Sequence, residues 1–247
     1  MDLHKPPIMV CSPHSQAELI DTLVAQKVLK SPEVINAMKA VDRKFFLPPG
    51  VSDEHSYDLV WATQTLSSPF IHALALEELK ELIIPGSSVL DIACGTGYLT
   101  ACFAELVGPS GKVIGLDCDH DVVQGAAVSI AENCPHLAPL LSSGTLQFIT
   151  TQDLSEGYSS AAPYDAIHVG AGSTLHDIAR PLQQLKMPGA LMAPINTGHW
   201  MYDYMVMRKE AHVRFPSLRG TRVGFRYFEP VEEGEYASQQ GNLPSSS

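Results

Sequence analysis

Three aspartates follow three successive apolar segments of the chain, at Asp91, Asp117 and Asp153. If those segments are neighbouring parallel strands, the carboxylates lie at the sheet edge where such folds bind ligands. An acid after the second strand can accept hydrogen bonds from both ribose hydroxyls of a nucleoside. An acid after the third can accept one from the adenine amino group. The spacing therefore indicates a nucleoside site.

A glycine turn lies between the first two aspartates, with Gly95 and Gly97 on either side of Thr96. Glycines allow a backbone to turn tightly and to approach a ligand closely. The dinucleotide fingerprint needs a third glycine, where this chain has Thr100, and Asp91 would repel a pyrophosphate. A ligand with a ribose, an ammonium and a sulfonium avoids both problems, so we predict S-adenosylmethionine (SAM) as the cofactor. Taken alone, the pattern is also compatible with a plain tight turn and solvated surface acids.

A cluster of hydroxyl and amide side chains, TQTLSS at residues 63–68, precedes a predicted helix that begins at Pro69. Ser67 or Ser68 can serve as the N-cap of this helix, which contributes about 1 kcal/mol. The same hydroxyls can also hold an anionic substrate, because a helix N-terminus favours negative charge. Spacing alone favours the capping role.

Apolar periodicity predicts the elements that must position these residues. Helix-start signals follow Ser15 and Ser31, and a third helix begins at Pro69. After Gly86 the pattern changes to short apolar strands that alternate with helices. We predict a strand ending at Asp91, further strands at residues 112–117, 146–150, 165–170 and 190–195, helices at 98–107, 119–133 and 175–185, and late strands around 204–208 and 224–230.

This alternation predicts an α/β fold with a doubly wound, Rossmann-like sheet of the class I SAM-dependent methyltransferase type and an N-terminal helical lead-in. We assign residues 1–230 to a single domain, in which helices of residues 15–84 pack on an α/β core of residues 86–230. Residues 231–247 are rich in Glu, Gly, Ser and Gln and are predicted to be disordered.

Composition limits the partners and the compartment. The 247-residue chain carries a formal net charge of −11, with 16 basic against 27 acidic residues, which disfavours nucleic-acid binding. Five cysteines without C-x-x-C spacing predict no metal site and indicate a reducing compartment. No apolar run approaches the roughly 20 residues of a membrane span. The cysteine usage and the lack of such a run lead us to expect a cytoplasmic protein without membrane contact. Because no long amphipathic seam is left over, we expect a monomer.

Several segments resemble one enzyme family. Residues 64–73, QTLSSPFIHA, resemble the Q-T-I-S-x-P signature of the protein-L-isoaspartate O-methyltransferases. The resemblance extends from about residue 15 to residue 230, and the first signature is specific to the family. The glycine turn alone indicates only a SAM-dependent methyltransferase. Further similar segments, in the family's order, are VDRKFFLP, LDIACGTGYLTACFAELVG, GKVIGLD, APYDAIHVGA and PGALMAPI.

The resemblance implies methyl transfer from SAM to the free α-carboxylate of L-isoaspartyl residues in damaged proteins and peptides. The ester then collapses to a succinimide that can reopen to aspartate, so the reaction begins a repair. Ser67 is the implied catalytic residue, which orients the substrate. The implied substrate groove contains Gln64, Thr65 and Val169, together with the backbone of His168. The predicted cofactor site combines residues at the start of the third helix, in the glycine turn and after the strands, and Ser68 is also the expected helix cap. These residues are Ser68, Phe70, Ile71, Asp91, Ala93, Cys94, Gly95, Gly97, Asp117, Cys118, Asp153 and Leu154.

Three segments depart from the family pattern, one of them at Thr63, which replaces the glycine before the Q-T-I-S signature. Ala93 and Cys94 replace a glycine and a hydroxyl residue in the glycine turn, and both glycines around Asp153 are replaced. Ala93 adds a methyl group where the backbone approaches the cofactor. Two alternatives stay open: a protein-binding adaptor that retains the fold, and a methyltransferase with another acceptor, such as a different carboxylate, a small molecule or RNA. The acidic balance disfavours RNA, and the SSPFI stretch disfavours a generic small-molecule enzyme.

Overall fold

The computed structural model describes residues 13–59, 61–196, 202–210 and 217–227, the last segment by its backbone alone. The predicted tail of residues 231–247 lies outside the described residues.

The lead-in contains three helices before the sheet: α1 (Gln16–Ala25), α2 (Pro32–Ala40) and α3 (Pro69–Leu79). Helix α1 begins as predicted, because the Ser15 hydroxyl accepts a hydrogen bond from the Glu18 N–H. Ser31 occupies the N-cap position of α2 without capping it, and its hydroxyl donates to the Glu77 carboxylate of α3 instead. Between α2 and α3 lie short 3₁₀ helices at Arg43–Phe46 and Asp53–His55.

The described residues form a sheet of seven strands: β1 (Ser88–Ile92), β2 (Lys112–Asp117), β3 (Leu146–Thr150), β4 (Tyr164–Val169), β5 (Leu185–Asn196), β6 (Tyr202–Glu210) and β7 (Ser217–Tyr227). Their spatial order is β3-β2-β1-β4-β5-β6-β7. Strands β1 to β5 are parallel, and β6 and β7 are antiparallel at one edge. The winding therefore reverses between β1 and β4, which confirms the doubly wound prediction and places ligands at the carboxyl ends of these strands.

Both faces of the sheet are covered, as a largely parallel sheet requires. In β1, Val89 packs in the cluster that contains the lead-in helices, whereas Leu90 and Ile92 pack in a second cluster on the opposite face. None of the helices in the described part of the chain is both long enough and apolar enough to cross a membrane. The remaining helices are α4 (Tyr98–Val107), α5 (His120–Asn133), α6 (Ala138–Ser143) and α7 (Ala179–Gln183).

Several elements differ from the predictions; strand β7, for example, begins at Ser217, seven residues before the predicted start at 224. The helix expected at residues 175–185 is only α7, because Pro181 would break a helix that contained it in the interior but is tolerated in a first turn. Helix α6 was not predicted, because six residues are too few to show a helical period. Strand β5 begins at Leu185, five residues earlier than expected. The Pro188-Gly189 pair, which resembles a turn, lies in an irregularity of the β4–β5 pairing.

Candidate active site

The glycine turn connects β1 to α4 and uses left-handed backbone at three positions. The φ angles of Ala93, Gly95 and Gly97 are 57°, 54° and 84°. Gly97 is the N-cap residue of α4. A left-handed conformation is readily adopted by glycine but costs other residues about 1–2 kcal/mol. The methyl group of Ala93 therefore sits at a strained position of the turn.

Asp117 fixes this turn from the end of β2. Its Oδ2 accepts a hydrogen bond from the Gly95 N–H at 2.8 Å. Its Oδ1 accepts from the N–H groups of Cys118 at 2.8 Å and Asp119 at 3.3 Å. A carboxylate can accept about four hydrogen bonds, so Asp117 retains capacity for about one ribose hydroxyl, where the sequence predicts two.

Asp91 and His168 form a buried pair beneath the turn. The side chains are 1% and 5% exposed, and Asp91 Oδ1 lies 2.8 Å from His168 Nδ1. The other carboxylate oxygen accepts from the Thr100 hydroxyl at 2.6 Å. Both oxygens of Asp91 thus bind side chains of the chain itself. Cys94 is also buried, and burial, reinforced by Asp91 and Asp117, raises its pKa well above the ordinary value, so it remains a thiol.

A cavity of about 370 Å³ opens beyond the carboxyl ends of β1 to β4. This volume is within the range of small-molecule sites, roughly 300–1,000 Å³. Five predicted site residues line it, namely Ala93, Cys118, Asp153, Leu154 and Val169. Sequence reasoning missed the wall that follows β4: residues 175–185 were read only as a covering helix, and residues 171–173 were not assigned to the site. Lining residues missed in this way are Ala171, Gly172, Ser173, Asp177, Ile178 and Pro181.

Two carboxylates at the cavity are held ionised by local hydrogen bonds. Asp153 accepts from the Ser155 hydroxyl at 2.7 Å and N–H at 2.9 Å, which lowers the pKa of Asp153. Asp177 accepts from the Thr174 N–H at 2.7 Å and hydroxyl at 2.8 Å, which lowers the pKa of Asp177. The cavity wall is consequently negative at neutral pH and favours a ligand with cationic or donor groups.

The hydroxyl loop, residues 63–68, packs directly on the glycine turn. The Thr65 carbonyl accepts a hydrogen bond from the Thr96 N–H at 2.9 Å. A Cβ atom on Gly95 would lie only 2.0 Å from that carbonyl oxygen. The lack of a side chain at Gly95 therefore allows the glycine turn to pack closely against the hydroxyl loop. This packing joins the hydroxyl loop to the turn that borders the cavity.

Ser67 and Ser68 differ in a way that spacing could not reveal. The Ser67 carbonyl accepts from the Arg43 guanidinium at 2.7 Å, and within the described residues the Ser67 hydroxyl has no hydrogen-bond partner. Ser68 occupies the N-cap position of α3 as predicted, but its side chain makes no capping hydrogen bond. The Ser67 hydroxyl is thus available to an incoming group.

The other predicted residues of this region lie outside the cavity lining. Ile71 is 1% exposed in the core, and Phe70 packs against the same cluster. The Phe70 N–H donates to the Leu59 carbonyl at 3.1 Å, so this donor of the α3 N-terminus is already used. Gln64 is exposed and Thr65 is half-buried in the hydroxyl loop. Direct contacts of these residues with a ligand stay predictions.

The doubly wound sheet, the glycine turn at its switch point and the acid-lined cavity define a class I SAM-dependent methyltransferase. A solved structure from Plasmodium falciparum has the same fold, with a TM-score of 0.67 and 22% identity over 85% of this chain and 94% of that one. That structure is described as a protein-L-isoaspartate O-methyltransferase in complex with S-adenosyl-L-homocysteine.

Sequence comparisons specify the family. The model of the protein-L-isoaspartate(D-aspartate) O-methyltransferases matches residues 14–225. A protein-L-isoaspartate O-methyltransferase of Triticum aestivum is 36% identical over 195 residues, which cover 78% of this chain and 82% of the relative. One of Caenorhabditis elegans is 34% identical over 182 residues, 73% and 78% of the two chains. The chain therefore belongs to the protein-L-isoaspartate(D-aspartate) O-methyltransferase family, as the resemblance predicted, and SAM is its cofactor.

Proposed function

We propose that this protein transfers a methyl group from SAM to the α-carboxylate of L-isoaspartyl residues in damaged proteins and peptides, with Ser67 orienting the carboxylate. Family membership supports the reaction. The observation that carries the assignment to this site is the Ser67 hydroxyl, which has no partner among the described residues and lies on a loop that is hydrogen-bonded to the glycine turn through Thr65 and Thr96.

The residues around the cavity fit the cofactor. Leu154 and Ile178 provide apolar surface for a purine ring, and the ionised Asp153 and Asp177 suit ammonium, sulfonium and amino groups. Asp117, beside the turn, has capacity for a ribose hydroxyl. When bound, SAM supplies an electrophilic methyl group on its sulfonium.

The chain's own residues have a limited chemical task. An α-carboxylate has a pKa of about 3.3–3.7 and is already ionised at neutral pH, so the site needs no general base. A carboxylate that leaves water must keep hydrogen bonds or pay a large desolvation cost. The Ser67 hydroxyl donates one such bond and fixes the direction of the carboxylate. Orientation of this kind can contribute about 7–11 kcal/mol in well-aligned reactions.

We further propose that the protein acts as a cytoplasmic monomer, that residues 1–230 form one domain, and that neither nucleic acid nor membrane is a partner. The excess of acids over bases supports the lack of a nucleic-acid partner, and the cysteine usage supports a reducing compartment.

The test is label transfer from methyl-tritiated SAM to an isoaspartyl peptide and to its aspartyl twin. We expect base-labile label in the isoaspartyl peptide alone. Label in neither peptide, with intact binding of S-adenosylhomocysteine, would support the adaptor alternative. Label in both peptides, or only in other carboxylic acids, would indicate a different acceptor and overturn the proposal.

A further inference from the structure

Arg43 is a completely buried arginine that contacts three parts of the site. Its Nη2 donates to the Ser67 carbonyl at 2.7 Å, and its Nη1 lies 3.0 Å from His72 Nδ1. Its guanidinium carbon lies 5.5 Å from the centre of the Tyr98 ring. One side chain thereby joins the hydroxyl loop, the first turn of α3 and the residue that follows Gly97.

Within the described part of the chain, the charge of Arg43 is buried without a close counter-ion. Among the described residues no carboxylate lies within ion-pair distance of it, and its Nε has no hydrogen-bond partner. Burial lowers the pKa of Arg43 to about 10, partly offset by Tyr98, Cys102 and Asp58, so the group stays protonated at neutral pH. Burial, reinforced by Arg43, holds the pKa of His72 well below its ordinary value, and neutral His72 can accept the arginine N–H.

An unpaired buried cation is costly to a fold, and an apolar residue of similar volume is often more stabilising. The position of this cation, beside the residue that we assign to the acceptor, indicates that its charge acts on the acceptor. The carbonyl that Arg43 binds and the hydroxyl that we assign to the acceptor belong to the same residue, Ser67. Because Arg43 is completely buried, its charge is screened less by water and acts on neighbouring groups more strongly than it would in bulk water.

We propose that Arg43 is a positioning residue that makes the site selective for an anionic acceptor. Its positive charge favours a carboxylate beside Ser67 over a neutral amide, and over the neutral ester that methylation forms. This inference rests on the proposed function, since it takes the Ser67 hydroxyl as the place where the acceptor binds. A purely structural Arg43, which only joins three segments, would affect charged and neutral acceptors equally.

The experiment uses calorimetry on the protein saturated with S-adenosylhomocysteine, which prevents turnover. Two peptides are titrated: an isoaspartyl peptide with a free α-carboxylate, and the same peptide with that group as a carboxamide. We expect the wild-type protein to bind the carboxylate form at least about tenfold more tightly. Arg43→Met removes the charge but keeps a long apolar stem, and it is expected to reduce this preference to about threefold or less. The affinity for S-adenosylhomocysteine should stay within about twofold.

Three further variants make the result decisive. Arg43→Lys keeps a cation and is expected to retain most of the preference, so its loss in a folded Arg43→Lys protein would overturn the charge model. Arg43→Gln is a neutral, polar substitute if the methionine variant does not fold. Lys44→Met removes an exposed neighbouring cation and should leave the preference unchanged.

Equal binding of the two peptides by the wild type would overturn the inference. So would a neutral variant that binds both peptides more weakly while keeping their ratio. The proposed function fails separately, if the wild type transfers no label to the isoaspartyl peptide. A carboxylate preference that depends on Arg43 would persist in that case.

Discussion

The glycine turn separates two regions that are built differently. On the cavity side, Asp153 and Asp177 are held by Ser155 and Thr174, which lie two and three residues away in the chain. On the side of the hydroxyl loop, Arg43 reaches Ser67 and His72 across 24 and 29 residues. The first region depends on short turns at strand ends, whereas the second depends on the packing of the lead-in helices.

This difference separates two tasks in the proposed reaction. The cavity needs only ionised acids and apolar surface at strand ends, which local sequence can supply. The hydroxyl loop must present one serine at a fixed place relative to the turn, and the bond between Thr65 and Thr96 provides that link. Changes at the link should therefore affect methyl transfer most, and changes within either region should have smaller effects.

Gly95→Ala should break the connection between the two regions. The new Cβ would lie 2.0 Å from the Thr65 carbonyl oxygen, so the hydroxyl loop must move. A displacement of about 1 Å can cost on the order of a hundredfold in rate, and we expect kcat/KM for an isoaspartyl peptide to fall at least that far. Gly50→Ala is the control, because Gly50 also has a positive φ but has no atom within 4 Å of the added Cβ. A folded Gly95→Ala protein with wild-type kcat/KM would disprove the link.

Ser67→Ala should impair the hydroxyl loop and spare the cavity. A hydrogen bond to a charged group contributes about 1.5–3 kcal/mol, so we expect kcat/KM to fall about ten- to hundredfold. S-adenosylhomocysteine affinity, measured by calorimetry, should not change. Ser160→Ala, at an exposed serine, is the matched control. An unchanged kcat in Ser67→Ala would remove Ser67 from the mechanism.

His72→Asn should change the pH dependence of stability through the region of the hydroxyl loop, without affecting the cavity. Neutral His72 in the folded state binds no proton until the pH is well below 6.5, whereas the unfolded chain binds one near pH 6.5. The free energy of unfolding therefore decreases as the pH falls below 6.5, by up to about 1.4 kcal/mol per pH unit. Asparagine keeps an acceptor for Arg43 without this titration, so urea unfolding between pH 6.5 and 5 should show a shallower dependence.

His176→Asn serves as its control, because His176 is exposed, and it should keep the wild-type dependence. Identical slopes for His72→Asn and the wild type would show that His72 does not resist protonation in the folded protein.

Ala93→Gly should have the smallest effect, and on the cavity side. Glycine relieves the left-handed strain at φ 57° but increases the freedom of the unfolded chain, so we expect a net gain of about 0.5–1 kcal/mol in the free energy of unfolding. Ala131→Gly, in the right-handed helix α5, should instead lose about 0.5–1 kcal/mol. Chemical denaturation measures both, and destabilisation by Ala93→Gly would refute the strain.

The same comparison explains what the sequence could predict. Strands β2 and β3 and helix α4 have the predicted boundaries, because apolar runs ended by glycine or polar residues are local signals. The cavity residue Asp153 follows from the rule that ligands bind beyond the strand ends. Ala93, Cys118 and Leu154 were predicted only through the family resemblance.

The buried pairs could not be predicted, because their partners are remote in the chain. Asp91 was expected to face a ligand, yet it lies one residue inside β1, and its side chain points to a covered face and meets His168, 77 residues away. Arg43 carried no signal beyond its place in VDRKFFLP, since Ser67 and His72 reach it only in the folded protein.

The most direct measurement of how the two regions cooperate is a crystal structure with S-adenosylhomocysteine and an isoaspartyl peptide. We expect the α-carboxylate within hydrogen-bond distance of the Ser67 hydroxyl and the nucleoside in the cavity beside Ala93, Cys118 and Leu154. A carboxylate bound away from the hydroxyl loop, or a nucleoside outside that cavity, would contradict the assignment of both regions.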